Sequence, residues 1–528
     1  MTHPQSSSTI PIDIGSRLEL MLDDYLIARL SGGAELRLNR PVPREVALVT
    51  DRPWEGNACG YFTIFQDGDI YRMYYRGNQF VMTETTPDEA SHPVVVCYAE
   101  SDDGVNWVKP DLGLVEFNGS TKNNIILSSQ HSSFPVSDFA PFKDANPNAA
   151  PDAKYKAWTV GTAPRGLHPL KSPDGIHWTP MSDEAVITVG LFDSQNLAFW
   201  DTVRGEYRDY HRNEFRIDKT MESGYVSAEF RIDKTGEEPY AAQKVKGGQG
   251  ESLRGSRYGR DILTATSNDF IHWSESEYIS YTQGRTDELY INTISPYFRA
   301  PHIFLGLPVR YIDRGWSDAM EDLPELEERR RRANGVERYG SALTDGMFMS
   351  SCDGQTFNLW PESFIRPGLR PQDNWVYGDN YPGWGLVATR SIFAGAPDEL
   401  SFYATEGYWR GESMNLRRYT LRVDGFASVQ APLSGGELVT RPLIFAGREL
   451  VLNFSASAAG SIQVELLRDQ MDVPIEGFTL DDCVEVLGDD IERVVRWSGG
   501  SNLSRLSGVP VRLRFMLKDA DLYSLRFR

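Results

Sequence analysis

Carboxylates set beside aromatic and amide side chains recur along this 528-residue chain. Two such carboxylates are what proton-transfer chemistry needs, one to give a proton and one to accept it or attack. Six segments carry the pattern. Asp51-Arg52-Pro53-Trp54-Glu55-Gly56-Asn57 places Glu55 next to Trp54, with Asp51 as the alternative acid. Phe142-Lys143-Asp144-Ala145-Asn146-Pro147 offers Asp144. Phe192-Asp193-Ser194-Gln195-Asn196 flanks Asp193 with Gln195 and Asn196. Asp287-Glu288-Leu289-Tyr290 puts Glu288 at the mouth of an apolar stretch, beside Tyr290. Trp375-Val376-Tyr377-Gly378-Asp379-Asn380 joins Trp375 to Asp379 and Asn380, and Glu406-Gly407-Tyr408-Trp409-Arg410 is a second cluster of that kind. Five of the six have a purely structural alternative: a surface turn for Glu55, a turn cap for Asp144, an ion pair with Arg299 or Arg310 for Glu288, and core packing for the last two clusters.

The elements that must position these groups read as short strands. Tyr71-Arg72-Met73-Tyr74-Tyr75-Arg76, Tyr155-Lys156-Ala157-Trp158-Thr159-Val160 and Tyr207-Arg208-Asp209-Tyr210-His211-Arg212 each follow a polar turn, the signature of a hairpin. A second unit recurs with them. Ser101-Asp102-Asp103-Gly104-Val105-Asn106-Trp107 is matched by Ser172-Pro173-Asp174-Gly175-Ile176-His177-Trp178, by Ser267-Asn268-Asp269-Phe270-Ile271-His272-Trp273, and by Ser351-Cys352-Asp353-Gly354-Gln355-Thr356-Phe357. The turn joins two outer strands and the aromatic packs beneath it. Irregular repeats, each several strands long, predict a five-bladed β-propeller over residues 1–430. Beyond Asp424-Gly425-Phe426 the alternating runs Leu450–Phe454, Ile462–Leu466, Val494–Trp497, Val511–Phe515 and Leu522–Phe527 predict a β-sandwich over 431–528. The fold class expected is therefore all-β. Helical periodicity is confined to Asp318–Asn334, where Glu325 to Arg332 reads as a solvated face despite its four arginines. The run Phe215-Arg216-Ile217-Asp218-Lys219-Thr220 recurs from Phe230 to Thr235 as a local duplication.

Composition narrows the function. Apolar residues make up 40 % of the chain, enough for a core, and the net charge is −20, which repels a phosphate backbone; no nucleic-acid partner is expected. No apolar run is long enough to cross a membrane. The N-terminus lacks the basic and apolar regions of a signal peptide. Cys59, Cys97, Cys352 and Cys483 are widely spaced and read as free thiols, so the expected location is the cytoplasm. No metal-ligand spacing, phosphate loop or dinucleotide fingerprint is present, and no cofactor or metal is expected. Self-association is left open.

The strings DGDIYRMYYRG (Asp67–Gly77), CYAESDDGVNW (Cys97–Trp107), FDSQNLAFWD (Phe192–Asp201) and LRRYTLRVDGFAS (Leu416–Ser428) resemble the furanosidase clan of glycoside hydrolases, families 32 and 43, and in particular bacterial proteins similar to the family 32 N-terminal domain. The Asn-Asp-Pro-Asn-Gly, Arg-Asp-Pro and Glu-Cys signatures of family 32 are absent. The resemblance implies acidic residues on the innermost strand of each early blade, around an axial pocket that takes an oligosaccharide or small glycoside. It implies catalytic roles for Glu55, Asp144, Asp193 and Glu288: Lys143-Asp144 is similar to the family's transition-state-stabilising Arg-Asp, and Asp193 falls close to its general acid. The family's first-blade Asp would fall near Gly60, where this chain has no acid. Trp54, Gln195, Asn196, Tyr290, Arg299, Arg310, Trp375, Asp379, Asn380 and Glu406 are the candidate sugar-binding residues. Arg299, Arg310 and His302 are also the basic residues that a phosphorylase variant of the reaction would use. The Ser-x-Asp-Gly-x-x-Trp turns resemble sialidase Asp-boxes, which are structural.

Overall fold

A computed structural model describes residues 10–81, 89–162, 164–216, 258–282, 287–370, 374–469 and 473–528. The chain is all-β and divides into many separate sheets. Five antiparallel sheets follow one another along it. The first contains Gly60–Asp67, Ile70–Gly77, Val95–Ser101 and Ile125–Ser128. The second contains Ser137–Lys143, Tyr155–Thr162, Arg165–Ser172 and Thr179–Pro180, and the third Leu197–Asp201, Glu206–Arg216, Tyr258–Ser267 and Glu277–Tyr278. The fourth is built on Ser295–Tyr297, Ala300–Gly306, Met349–Ser351 and Thr356–Leu359, with Ser280–Tyr281 added in parallel at its edge. The fifth joins Val387–Thr389, Glu399–Glu406 and Asn415–Arg422 to Val42–Val49, a strand from the other end of the chain.

Alternation explains why these segments are strands packed on both faces. In Ile70–Gly77, Tyr71, Met73 and Tyr75 enter one apolar cluster, while Tyr74 enters another on the opposite face. Side chains two apart share a face, so a sheet between two neighbours buries both sets.

The Ser-x-Asp turns form as expected. Ser101 Oγ accepts the amides of Asp103 and Gly104 at 3.2 and 2.9 Å, and Asp103 Oδ1 accepts those of Val105 and Asn106, each at 2.8 Å. Asp174, Asp269 and Asp353 repeat the arrangement. Each turn rests on the sheet before its own. Asp174 O accepts from Arg72 of the first sheet at 3.0 Å, Phe270 stacks on Trp158 of the second at 4.5 Å, and Gly354 O accepts from Tyr210 of the third at 2.7 Å. At the end of the fifth sheet, Asp424 accepts from Tyr297 of the fourth at 2.7 Å. The first sheet's Gly104 O accepts from Tyr403 of the fifth. The contacts therefore run in a cycle.

The region expected as a sandwich forms a ten-stranded sheet around its own apolar core. Leu450–Phe454 and Ile462–Leu466 are parts of one strand, Leu450–Arg468. Val511–Phe515 and Leu522–Phe527 are likewise parts of Val511–Phe527. The two pair along most of their length, with a register break between Ala456 and Ser461. Of Val494–Trp497 only Val494 lies in a strand, the end of Asp489–Val494. Ile12–Gly15, Glu19–Leu20, Ile27–Ser31 and Glu35–Leu38 also join this sheet, so the first strands of the 1–430 segment pair with 427–525.

Among the described residues α-helix is confined to Asp318–Glu321, Leu326–Gly335 and Arg338–Ser341. The four arginines do not all face solvent: Arg329 and Arg332 are fully buried. Arg329 donates to the carbonyls of Leu323 and Pro324 at 2.8 and 2.9 Å, and Arg332 to Tyr408 O at 2.6 Å. Carbonyl acceptors meet part of a buried guanidinium's donor set; Arg329 Nη1 is left without a hydrogen-bond partner among the described residues. The duplicated run lies outside the described residues except for Phe215 and Arg216, which end a strand.

Candidate functional site

Strand ends and loops from several sheets line a cavity of about 50 Å³, set in about 500 Å³ of open space that includes its mouth. Tyr61 and Phe62 reach it from the first sheet, Gln195 from the third, and Tyr290 and Ile291 from the segment before the fourth. Tyr377, Tyr381, Thr405 and Tyr408 come from the fifth sheet and the loop leading into it. The backbone around the cavity is strained in a repeated way. Tyr61, Asp138, Phe192, Thr293 and Asn380 have φ of 55, 53, 57, 43 and 65°, left-handed values that non-glycine residues rarely adopt. There is one at the entry to each sheet. At Tyr61 and Asp138 the strand register also shifts, as at β-bulges that re-aim a side chain. Strain of this kind clusters at functional sites. Gly378 (φ +96°) admits no side chain: a Cβ there would lie 2.0 Å from the Tyr408 ring.

Two carboxylates that feel each other's charge stand beside residues of the cavity wall, Asp138 against Arg76 and Asp193 by Tyr61 and Tyr290. Asp138, at the start of Ser137–Lys143, is buried and lies 3.3 Å from Arg76 Nη1. Burial pushes its carboxyl up to about 6; Arg76 opposes the rise and the charge of Asp193 adds to it. Asp193 is 63 % exposed and accepts from Arg212 Nη1 at 2.9 Å. One group is dry and held toward its neutral form, and the other is wet and paired with a guanidinium. Environments that differ in this way separate an acid from its conjugate partner. Burial also raises the phenols of Tyr61, Tyr290 and Tyr381, so they stay neutral hydrogen-bonding groups. Their rings, with Tyr290 and Tyr381 centred 5.5 Å apart, offer flat apolar faces with polar rims.

Of the residues singled out in the sequence, Gln195 and Tyr290 line the cavity, and Asp193 lies two residues before Gln195 with its charge felt by Tyr290. Gln195 donates to Thr63 Oγ1 at 2.9 Å, and its buried Oε1 has no partner among the described residues. Asn196 ties the preceding turn by donating to the carbonyls of Phe192 and Ser194 at 3.0 and 2.9 Å. Glu288 is bound to Arg260 at 2.5 Å, behind the Tyr290 ring that Arg260 covers at 5.0 Å. Asp379 is fully buried beneath the cavity wall, accepts the Tyr408 amide at 2.8 Å, and is pushed up to about 7 by burial. Asn380 donates to the carbonyls of Thr344 and Asn374 at 3.2 and 3.1 Å.

The other candidates lie away from the cavity lining. Glu55 is buried against Tyr75 Oη at 2.5 Å and Lys109 Nζ at 2.7 Å, and Trp54 Nε1 donates to Asn124 at 2.6 Å. Asp144 is held by Lys156 and by Tyr207 Oη. It is six residues beyond Asp138, about 20 Å along a strand. Glu406 pairs with Arg417 at 2.6 Å, and Trp375 Nε1 donates to Gly368 O at 3.1 Å. The basic trio does not assemble: Arg299 pairs with Asp424 at 3.0 Å, Arg310 with Asp345 at 2.7 Å and His302 with Glu19 at 3.2 Å. Among the described residues no three His, Cys, Asp or Glu side chains group as metal ligands.

Sequence reasoning missed Asp138, Tyr61, Arg76, Tyr377, Tyr381 and Tyr408 as site residues. A signal for Asp138 exists: in Ser137-Asp138-Phe139-Ala140-Pro141-Phe142 it is the acid that opens an apolar strand.

No protein-family model matches the sequence, and no curated protein matches it. Solved structures do resemble it. A glycoside hydrolase aligns with TM-score 0.40 and 11 % identity over 72 % of this chain and 92 % of that one. An N-acetylgalactosamine deacetylase from F. plautii, in complex with blood group B trisaccharide, aligns with TM-score 0.38 and 13 % identity over 73 % and 94 %. A structure titled for the GH130 family of mannoside phosphorylases, which contains glycoside hydrolases, aligns with TM-score 0.33 and 13 % identity over 75 % and 95 %. Scores and identities this low carry no functional argument, and the reading below rests on the site.

Proposed function

We propose that this protein is a glycosidase whose site is the cavity at the centre of a five-bladed β-propeller, with the C-terminal sheet folded as a β-sandwich beside it. The cyclic docking of the four Ser-x-Asp turns and of Asp424 supports the propeller. Asp138 and Asp193 carry the functional reading: two interacting carboxylates beside the wall of one aromatic-lined cavity, one of them held neutral to about pH 6. Asp138 protonates the departing glycosidic oxygen. Asp193, paired with Arg212, attacks the anomeric carbon or activates water. The tyrosine rings take the apolar faces of the sugar, and Gln195 Oε1 accepts from a hydroxyl. Glu288, through Arg260, sets the Tyr290 wall. A furanoside is the substrate that the sequence resemblance implies.

The test is a panel of aryl furanosides, aryl pyranosides and fructo- and arabino-oligosaccharides, with and without phosphate. Release without phosphate is the expected result. A strict phosphate requirement would show a phosphorylase instead, and sugar binding without turnover a binding protein.

A further inference from the structure

One residue of the cavity wall is held at both of its backbone groups by buried side chains of opposite charge. Tyr408 lines the cavity. Its amide donates to Asp379 Oδ1 at 2.8 Å, and its carbonyl accepts from Arg332 Nη2 at 2.6 Å. Arg332 Nη1 also donates to the carbonyl of Tyr377, a second wall residue, at 3.4 Å. Asp379 and Arg332 are fully buried and neither lines the cavity, so each acts through Tyr408 rather than on a ligand. The backbone is left-handed on either side of Tyr408, with φ of 80° at Gly407 and 60° at Trp409. A tryptophan keeps that conformation only where its surroundings impose it. Asp379 is fixed in turn, its own carbonyl accepting from Thr344 Oγ1 at 2.8 Å. Its Oδ2 has no hydrogen-bond partner among the described residues and faces Arg410 Nη2 at 3.6 Å. The other charged groups that act on it are Arg332, from the helix Leu326–Gly335, and Glu406, at the end of Glu399–Glu406. The Tyr419 phenol, from Asn415–Arg422, feels its charge. Glu328 and Glu325 pair with Arg332 and Arg410 at 3.3 and 3.4 Å.

Buried opposite charges are a poor source of stability, because desolvation offsets their attraction. What they add here is a fixed wall. An ionised acceptor holds an N–H roughly twice as strongly as a neutral one. A proton on Asp379 therefore weakens its hold on Tyr408 and leaves Arg332 and Arg410 without their shared counter-charge. Burial pushes this carboxyl up to about 7, against the opposing pull of Arg410 and the Tyr408 amide. The group is charged above that pH and neutral below it, so the hold is full on the alkaline side and lost on the acid side. We infer that Asp379, with Arg332 at the other end of the same residue, is a positioning residue that clamps the Tyr408 wall, and that the charge on Asp379 sets how tightly the cavity takes its sugar. The clamp stands on the geometry alone; that the ligand is a sugar rests on the glycosidase reading.

Two readouts test it, on the wild type and on Asp379→Asn, each checked for a native melting curve. The first needs no substrate: the amide resonance of Tyr408 in protein labelled with ¹⁵N-tyrosine, identified by its loss in Tyr408→Phe. It is expected to move with a midpoint near pH 7 in the wild type and to stay still in Asp379→Asn. A Tyr408 amide that is fixed across that range in the wild type, or that moves equally in Asp379→Asn, overturns the clamp. The second is KM on whichever glycoside of the panel the wild type cleaves. Asp379→Asn keeps an acceptor for the Tyr408 amide and loses only the charge. Its KM is expected to be about fivefold that of the wild type near pH 8 and to approach the wild-type value near pH 5.5, where the wild-type carboxyl is itself protonated. The larger part of the change falls in KM rather than kcat. A ratio that is the same at both pH values, as a merely structural role would give, or a loss confined to kcat, overturns the clamp. Should Asp379→Asn not fold, the amide midpoint is read on Arg410→Gln. Loss of the nearest opposing charge raises that midpoint, and a midpoint unchanged or lowered overturns the clamp. A Tyr408 amide that titrates in a protein that cleaves none of the panel removes the glycosidase reading alone, and turnover with a fixed amide removes the clamp alone.

Discussion

Asp138 sits between opposing forces. Burial raises its carboxyl most, Arg76 pulls it down and Asp193 pushes it up, leaving it near 6. An acid must be protonated to give its proton, so kcat/KM is expected to fall about tenfold per pH unit above about 6. The sign of the coupling is testable apart from activity. Asp193→Asn removes the like charge and lowers the Asp138 titration, whereas Arg76→Gln removes the opposing charge and raises it, both readable by carboxyl NMR. A shift in the same direction in both variants would contradict the arrangement. Asp138 was not legible in the sequence because the acid sought lay just ahead of the tyrosine-rich strand. In a hairpin that is the far end of the inner strand, where Asp144 sits. Asp193 precedes Leu197–Asp201, and so lies at the cavity end.

At the scale of elements, the Ser-x-Asp turns were legible because their chemistry is local. Two side chains two residues apart capture four amides, and no distant contact is needed to predict it. Asp174 holds the amides of Ile176 and His177, each at 2.8 Å, and those bonds keep its carboxyl well below the usual range. Asp174→Ala is expected to destabilise the protein by about 1–3 kcal/mol, measured by denaturant unfolding, with the loss shrinking as pH falls below about 4 and the wild-type carboxylate itself takes up a proton. A neutral effect at pH 7 would remove the turn's structural role. The arginine-rich helix was misjudged for the opposite reason. Charge pattern alone predicts solvation, but Arg332 is buried by a carbonyl of the cavity wall, a partner 76 residues away.

Over the whole molecule, the all-β class and a succession of small sheets followed from the repeats, because each repeat is built mainly from consecutive chain; the separate three-stranded sheet of Glu288–Leu289, Val309–Asp313 and Ala342–Gly346 did not. Nor did what joins the ends. Val42–Val49 completes the fifth sheet against Asn415–Arg422, and the first 38 residues supply strands to the C-terminal sheet, pairings separated by hundreds of residues. Leu416 and Leu48 share an apolar cluster with Phe62, Ile64 and Tyr75 of the first sheet, so the closing strand and its neighbour pack as one. Leu416→Ala is expected to cost about 2–5 kcal/mol and to speed amide exchange in Val42–Val49. Destabilisation with no change in that strand would place the loss elsewhere.

The most direct test of the account is kcat/KM for Asp138→Asn and Asp144→Asn on whichever glycoside the wild type cleaves. The two acids lie at opposite ends of one strand, both paired with a cation, and only the partner of Asp138, Arg76, lines the cavity. A loss of about 10²–10⁴-fold in Asp138→Asn, with Asp144→Asn within a few-fold of wild type once folded, is the predicted result. Near-normal turnover in Asp138→Asn would contradict the account.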